Sequence, residues 1–269
     1  MNITVLGATG MVGSRLVTEA VLRTHRVTAA SRRPLATTTP GVTAVTLDAN
    51  APEQHANAPE RHAKAREQHS EILDAALDKA DAAVLAIRPA PGREASIAPL
   101  TSAVLDATAR AGIRLLVVGG AGPLESPKRP GLLVIDDPDH VPAGWRAIAG
   151  ASTTQLRTCN EHENVDWTYL SPAAVLEPGT RTGGYRRGTT TLLTDPDGTS
   201  RISVEDLAVA VLDELERPGG DRHFTIAQSH ASRPGGCACC GSWGGVSAHR
   251  WQVVGCPPRG EAGFHRRAE

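Results

Sequence analysis

Near the start of the chain three glycines stand three residues apart, in Leu6-Gly7-Ala8-Thr9-Gly10-Met11-Val12-Gly13, and two adjacent arginines, Arg32 and Arg33, follow further on. Glycines at this spacing let a main chain come close to a ligand, because no Cβ stands in the way. Where such a turn opens a helix, free N–H groups face outward and favour an anion. Paired guanidinium groups bind phosphate with directed hydrogen bonds. The chemistry on offer is the grip of a diphosphate, with a further phosphate held some distance away.

The elements that must position these groups are legible around them. An apolar run, Ile3-Thr4-Val5-Leu6, ends at Gly7. Helical periodicity then runs through Leu16, Val17, Ala20 and Val21, and Val27-Thr28-Ala29-Ala30 reads as a second strand. Strand, glycine turn, helix and strand form a βαβ unit with parallel strands, the unit that binds dinucleotides. Gly7 supplies the unusual backbone angles of the turn, Gly10 the close approach to pyrophosphate, and Gly13 the close packing of helix on strand. The spacing is G-x-x-G-x-x-G, not G-x-G-x-x-G, so the context carries the assignment. NAD-binding units usually place an acidic residue after the second strand; Ser31-Arg32-Arg33 instead suits a 2′-phosphate, and the expected cofactor is NADP(H).

Four blocks now define a resemblance. They are residues 6–13, Ala30-Ser31-Arg32-Arg33-Pro34, Val117-Val118-Gly119-Gly120-Ala121-Gly122 and Asp166-Trp167-Thr168-Tyr169-Leu170-Ser171-Pro172. In this order they resemble the NAD(P)H-binding, NmrA-like branch of the atypical short-chain dehydrogenase/reductases, from residue 1 to about 228. The resemblance implies a doubly wound, Rossmann-like parallel α/β sheet with a small carboxyl-side substrate lobe. It also implies a cofactor contact at Asp48, at the end of the third strand (41–48), where helix capping is the competing role. Pro172 and Ala173 are implied to turn beside the nicotinamide. The expected cofactor contacts are thus Gly7, Thr9, Gly10, Met11, Val12, Gly13, Arg32, Arg33, Asp48, Ala86, Ile87 and Pro172.

Ala86 and Ile87 close a continuous apolar run from Ala82, which reads as a strand buried on both faces. The loop after it, Arg88-Pro89-Ala90-Pro91-Gly92, should border the cofactor, since ligands bind at the carboxyl ends of strands in such sheets. A helix is expected over 101–111, a fifth strand over 115–118, and a sixth carrying Trp167, Tyr169 and Ser171 on one face. Residues 189–193 alternate like a strand, Ser203 caps a helix striped by Leu207, Val211, Leu212 and Leu215, and 223–227 supply the last strand.

The catalytic apparatus of mainstream relatives is missing. The end of the fifth strand, where they carry a serine, is glycine here. The tyrosine-lysine pair that lowers a phenol pKa for proton transfer has no counterpart. The chain has two tyrosines, Tyr169 and Tyr185, and its lysines, Lys64, Lys79 and Lys128, all precede them. Tyr169, Tyr185 and His162 remain as candidate proton donors, each more readily explained as packing or as a solvated side chain. The catalytic group is left unassigned.

Composition bounds the rest. A chain of 269 residues can build a core without disulfides or metals, and its net charge of -1 gives no electrostatic case for nucleic acid or anionic membrane. No apolar run approaches the length of a membrane helix, and the chain opens on a strand instead of a signal peptide, which points to the cytoplasm. Glu53-Gln54-His55, Glu60-Arg61-His62 and Glu67-Gln68-His69 recur every seven residues. Helical neighbours at that interval stand about 10.5 Å apart, too far to share an ion, so no metal is expected. Residues 229–269 hold Cys237, Cys239, Cys240 and Cys256 without periodicity and read as a disordered or non-native tail, leaving 1–228 as the cofactor domain. The expected activity is NADPH-dependent hydride transfer to a small carbonyl, quinone or flavin-like acceptor. The alternative is a non-catalytic sensor of NADP(H). Beyond a small-molecule substrate no partner is implied, and the oligomeric state is left open.

Overall fold

The computed structural model describes residues 1–35, 37–48, 59–164 and 166–229, without the side chains of 59–66 and 69. The first histidine repeat and the Cys-rich tail beyond Ser229 lie outside the described residues. Chain contacts gather Met1–His230 into one unit.

In chain order the elements are β1 (Asn2–Leu6), α1 (Met11–Leu22), β2 (Arg26–Ser31), β3 (Val42–Thr46), α2 (Pro59–Leu77), β4 (Ala82–Leu85), α3 (Ile97–Ala111), β5 (Arg114–Val118), β6 (Glu125–Ser126), β7 (Arg129–Leu133), α4 (Arg146–Glu161), β8 (Trp167–Pro172), β9 (Val175–Glu177), β10 (Tyr185–Gly188), β11 (Arg201–Ser203), α5 (Val204–Glu216) and β12 (His223–Gln228). The main sheet runs β10-β12-β8-β5-β4-β1-β2-β3. Its pairs are parallel except β10 against β12. The chain winds outward from β1 through β2 to β3, then returns to place β4 on the other side of β1. That reversal is the topological switch point of a doubly wound sheet, the position where such folds bind ligands.

Burial explains why the inner strands read as continuous apolar runs: β4 and β8 are buried along their whole length. One core lies on the α1 and α5 side, with Leu16, Leu207, Val211, Leu212 and Leu215 packed on Ile3, Val5 and Ile226. The other lies under α2, α3 and α4, where Leu73, Leu77, Val104 and Leu105 meet Leu85, Leu115 and Tyr169. Trp167 and Tyr169 fall in this second core and Leu170 in the first, as alternation along β8 requires.

Several boundaries differ from the sequence reading for physical reasons. The residues at 189–193 are not a strand; β10 is Tyr185–Gly188, because this is the segment that meets the free edge of β12, with Tyr185 opposite Gln228. Thr191 makes only an isolated bridge to Glu125. Helix α3 starts at Ile97, after a short turn of 3-10 helix at Glu94–Ser96, and not at Thr101. Helix α4 and the β6/β7 hairpin have no counterpart in the reading above. His162 is the residue that ends α4, where its Nδ1 accepts from the Asn164 backbone N–H at 3.0 Å and its Nε2 lies 3.3 Å from Asp106.

Candidate functional site

The turn after β1 is built by its glycines. Gly7 has φ +91°, and a Cβ there would stand 2.6 Å from the Ala86 carbonyl oxygen and 2.8 Å from Ile87 Cγ1. A Cβ on Gly13 would overlap the Gly7 carbonyl. The turn is tied to β2 by Gly7 and Ala8, whose N–H groups both donate to the Ala30 carbonyl at 3.0 Å, and Gly10 N–H donates to the Gly7 carbonyl at 2.9 Å. Helix α1 then begins with no side-chain cap at Gly10 and no acidic residue in its first turn. By contrast α5 begins with Ser203 Oγ accepting from Asp206 N–H at 3.0 Å and carries Glu205 and Asp206 in its first turn. The positive end of α1 is left for an external anion.

Two cavities meet at this turn. The first, about 430 Å³, is lined by Gly7, Thr9 and Gly10, by Ser31 and Arg32 after β2, by Leu47 and Asp48 after β3, and by 86–91, Arg93 and Ser96. The second, about 340 Å³, is lined by Gly10, Met11 and Val12, by 86–89 and Ile97, by Val118, Gly119 and Gly120 after β5, by Ile148, Ala151, Ser152 and Gln155 of α4, and by Leu176. Gly10, Ala86, Ile87, Arg88 and Pro89 belong to both, so one groove crosses the carboxyl ends of β2, β1, β4 and β5.

Most of the expected contacts fall on this groove. Gly7, Thr9, Gly10, Arg32, Asp48, Ala86 and Ile87 line the first cavity, and Met11 and Val12 the second. Gly13 lies beneath the turn. Arg33 and Pro172 line neither; Arg33 contributes its carbonyl to Ser31 Oγ at 2.7 Å, and Pro172 pairs with Ile226 inside the sheet. Nothing from 185–228 lines either cavity. The wall opposite the turn comes instead from α4. The sequence carried a signal for it in Ala151, Ser152 and Gln155, which share a helical face. Arg88 and Arg93, on either side of a Pro-Ala-Pro-Gly loop, were a second signal.

The tyrosines lie away from the groove walls. Tyr169 is fully buried, and its hydroxyl donates to the Ser152 carbonyl at 2.9 Å. Burial pushes its pKa far upward. The same hydroxyl fills the space beside Gly119, where any Cβ would overlap it, which accounts for glycine at this position. Tyr185 donates to Asp213 Oδ2 at 3.0 Å, and burial pushes its pKa to about 12. Among the described residues the wall of the second cavity has no Asp, Glu, His, Lys, Tyr or Cys, and its one charged residue is Arg88.

Charge is distributed unevenly over the fold. Elsewhere Arg23, Arg129, Arg181 and Arg187 are held by carboxylates. Around the first cavity Arg32, Arg88 and Arg93 are exposed, and no carboxylate among the described residues pairs with them. An uncapped helix end, a glycine turn and several free guanidinium groups fit a ligand with multiple phosphates.

Comparison with known proteins agrees. The family model for NAD(P)H-binding proteins matches residues 7–218, and the chain belongs to that family. A protein of Burkholderia pseudomallei, provisionally named an exported protein, is 34% identical, with a TM-score of 0.69 over 84% of this chain and 99% of its own. One from Bacteroides thetaiotaomicron, provisionally named an epimerase, is 31% identical, with a TM-score of 0.71 over 84% and 96%. A third, from Streptococcus pneumoniae and provisionally named an NADH-flavin reductase, is 26% identical, with a TM-score of 0.67 over 85% and 100%. No helix among the described residues is long and apolar enough to cross a membrane.

Proposed function

We propose that this protein is an NADP(H)-dependent oxidoreductase of the NmrA-like branch, acting in the cytoplasm on a quinone or flavin-like acceptor. The observation that carries the reading is the division of one groove into a cationic cavity and an apolar cavity on either side of the glycine turn. The glycine turn and the bare start of α1 would hold the diphosphate, and Arg32 the 2′-phosphate. Arg88, which belongs to both cavities, stands between them. A bound reduced nicotinamide supplies hydride.

The second cavity then decides among acceptors. With no titratable acid among the described residues of its wall, none of them can protonate an oxygen as charge develops on it. An isolated ketone would have to become an alkoxide, a strongly basic anion. A quinone or a flavin spreads that charge over a conjugated ring and takes its proton from water later. Apolar walls from Met11, Val12, Ile97, Ile148 and Leu176 suit such a ring. The bacterial neighbour named an NADH-flavin reductase supports this reading.

The same lack of an acid favours a second reading, a protein that binds NADP(H) and reports its redox state without turnover. Following NADPH absorbance with the full chain and a panel of quinones, flavins and aldehydes separates the two. The enzyme reading expects oxidation that saturates with quinone or flavin and is weak with aldehydes. Saturable NADPH binding without turnover across the panel would replace it with the sensor.

A further inference from the structure

Four side-chain polar atoms among the described residues are buried without a hydrogen-bond partner: Thr101 Oγ1, Gln155 Nε2, Trp167 Nε1 and Thr225 Oγ1. Only Gln155 belongs to a residue in the wall of either cavity of the groove. The residue is 2% exposed. Its Oε1 lies 3.4 Å from the Tyr169 hydroxyl, whose shorter bond, 2.9 Å, goes to the Ser152 carbonyl. The amide nitrogen, a strong donor, has neither a protein acceptor nor access to bulk water. An orphaned buried donor is destabilising, a cost that function can account for where packing does not.

The neighbours of Gln155 supply the rest of the case. Ser152, one helical turn earlier, commits its hydroxyl proton to the Ala149 carbonyl at 2.7 Å. Of the two polar α4 side chains in the second cavity, Gln155 alone therefore has a donor to spare. Gly119 and Gly120 line the same cavity without side chains of their own, the space beside Gly119 being taken by the Tyr169 hydroxyl and that beside Gly120 by Ser152. The terminal torsion of a glutamine is soft, so the amide can turn toward a ligand at low cost.

We infer that Gln155 is the hydrogen-bond donor of an acceptor subsite in the second cavity, selecting planar apolar rings that carry a carbonyl oxygen. This rests on the NADP(H) reading above and adds to it the group that orients the acceptor. An amide holds no proton it can give up near neutral pH, so Gln155 orients and polarises the ring oxygen, and the proton still comes from water.

The test uses the full chain saturated with NADP⁺, so that no turnover occurs, and compares duroquinone with durene, the same ring without oxygens. The wild type should bind duroquinone about tenfold more tightly than durene, the worth of one such hydrogen bond. Gln155→Leu should bring the two to parity, with durene affinity and NADP⁺ affinity unchanged. Gln155→Leu should also melt at or above the wild-type temperature, because it removes an unsatisfied donor. Equal affinities in the wild type, or an undiminished preference in Gln155→Leu, overturns the assignment. So does tighter binding of durohydroquinone than of duroquinone, since the amide would then be presenting its oxygen. A lower melting temperature with an unchanged preference would make Gln155 a structural partner of Tyr169 and also overturn it. Failure of NADP⁺ to bind at all would strike the cofactor reading instead, and is read separately in the same titration.

Discussion

At the scale of single residues, the site is shaped as much by missing side chains as by present ones. Gly13 has no room for a methyl group, because the Gly7 carbonyl occupies that space. Gly13→Ala should cost about 1–3 kcal/mol through overpacking, read by denaturant unfolding, and should abolish dinucleotide binding by displacing the turn. Tyr169 illustrates the opposite case, a residue of catalytic type used for packing. Its phenol is sealed against Ser152 and Gly119, so Tyr169→Phe should lower stability by about 1 kcal/mol while leaving NADPH oxidation within twofold of wild type. A drop of two orders of magnitude in turnover would show that the phenol takes part in the reaction. The roles of Gly7, Gly10 and Gly13 were legible in the sequence, since a turn between strand and helix admits few residue types. Packing was also the favoured reading of Tyr169, but the acceptor of its hydroxyl was not legible, because it lies on α4, an element whose position no local pattern reveals.

Elements show the same division. The parallel strands of the sheet and the helices α1 and α5 could be read directly, because apolar runs and helical stripes are set by burial on both faces of one sheet. Helix α4 escaped because its buried face is made of small and polar residues, Ala151, Ser152, Gln155 and Cys159, and not of a leucine stripe. Burial pushes the Cys159 thiol up to about 12, which keeps it in the unreactive protonated form. The pairing of β8 with β12 carries a pH dependence. His223 sits edge-on to the Tyr169 ring with its Nε2 2.9 Å from Ser171 Oγ, and burial lowers its pKa from 6.5 to about 4. Between those values the unfolded chain binds a proton that the native protein does not. Stability from this site is therefore complete above pH 6.5 and is lost as pH falls toward 4. His223→Gln retains a hydrogen-bonding group and removes the titration, so its unfolding free energy should vary less over that range. A slope identical to wild type would place the titrating group elsewhere.

Over the whole molecule, two features converge on one groove. The winding of the sheet reverses between β1 and β4, which leaves a crevice at their carboxyl ends. Three arginines that no carboxylate among the described residues holds, Arg32, Arg88 and Arg93, line that crevice together with Asp48, an excess of positive charge in a chain whose net charge is -1. Arg32 was visible in the sequence because it follows the second strand directly. Arg88 was visible in the loop expected to border the cofactor, whereas Arg93 could be placed only when that loop was seen to close the first cavity. The most direct test is calorimetric titration of the full chain with NADPH and NADH, for wild type, Arg32→Ala and Arg33→Ala. Saturable binding is expected for both cofactors, with NADPH at least tenfold tighter. Arg32→Ala should erase most of that difference, and Arg33→Ala, outside the cavity wall, should leave most of it. No saturable heat with either dinucleotide would contradict the account at its centre.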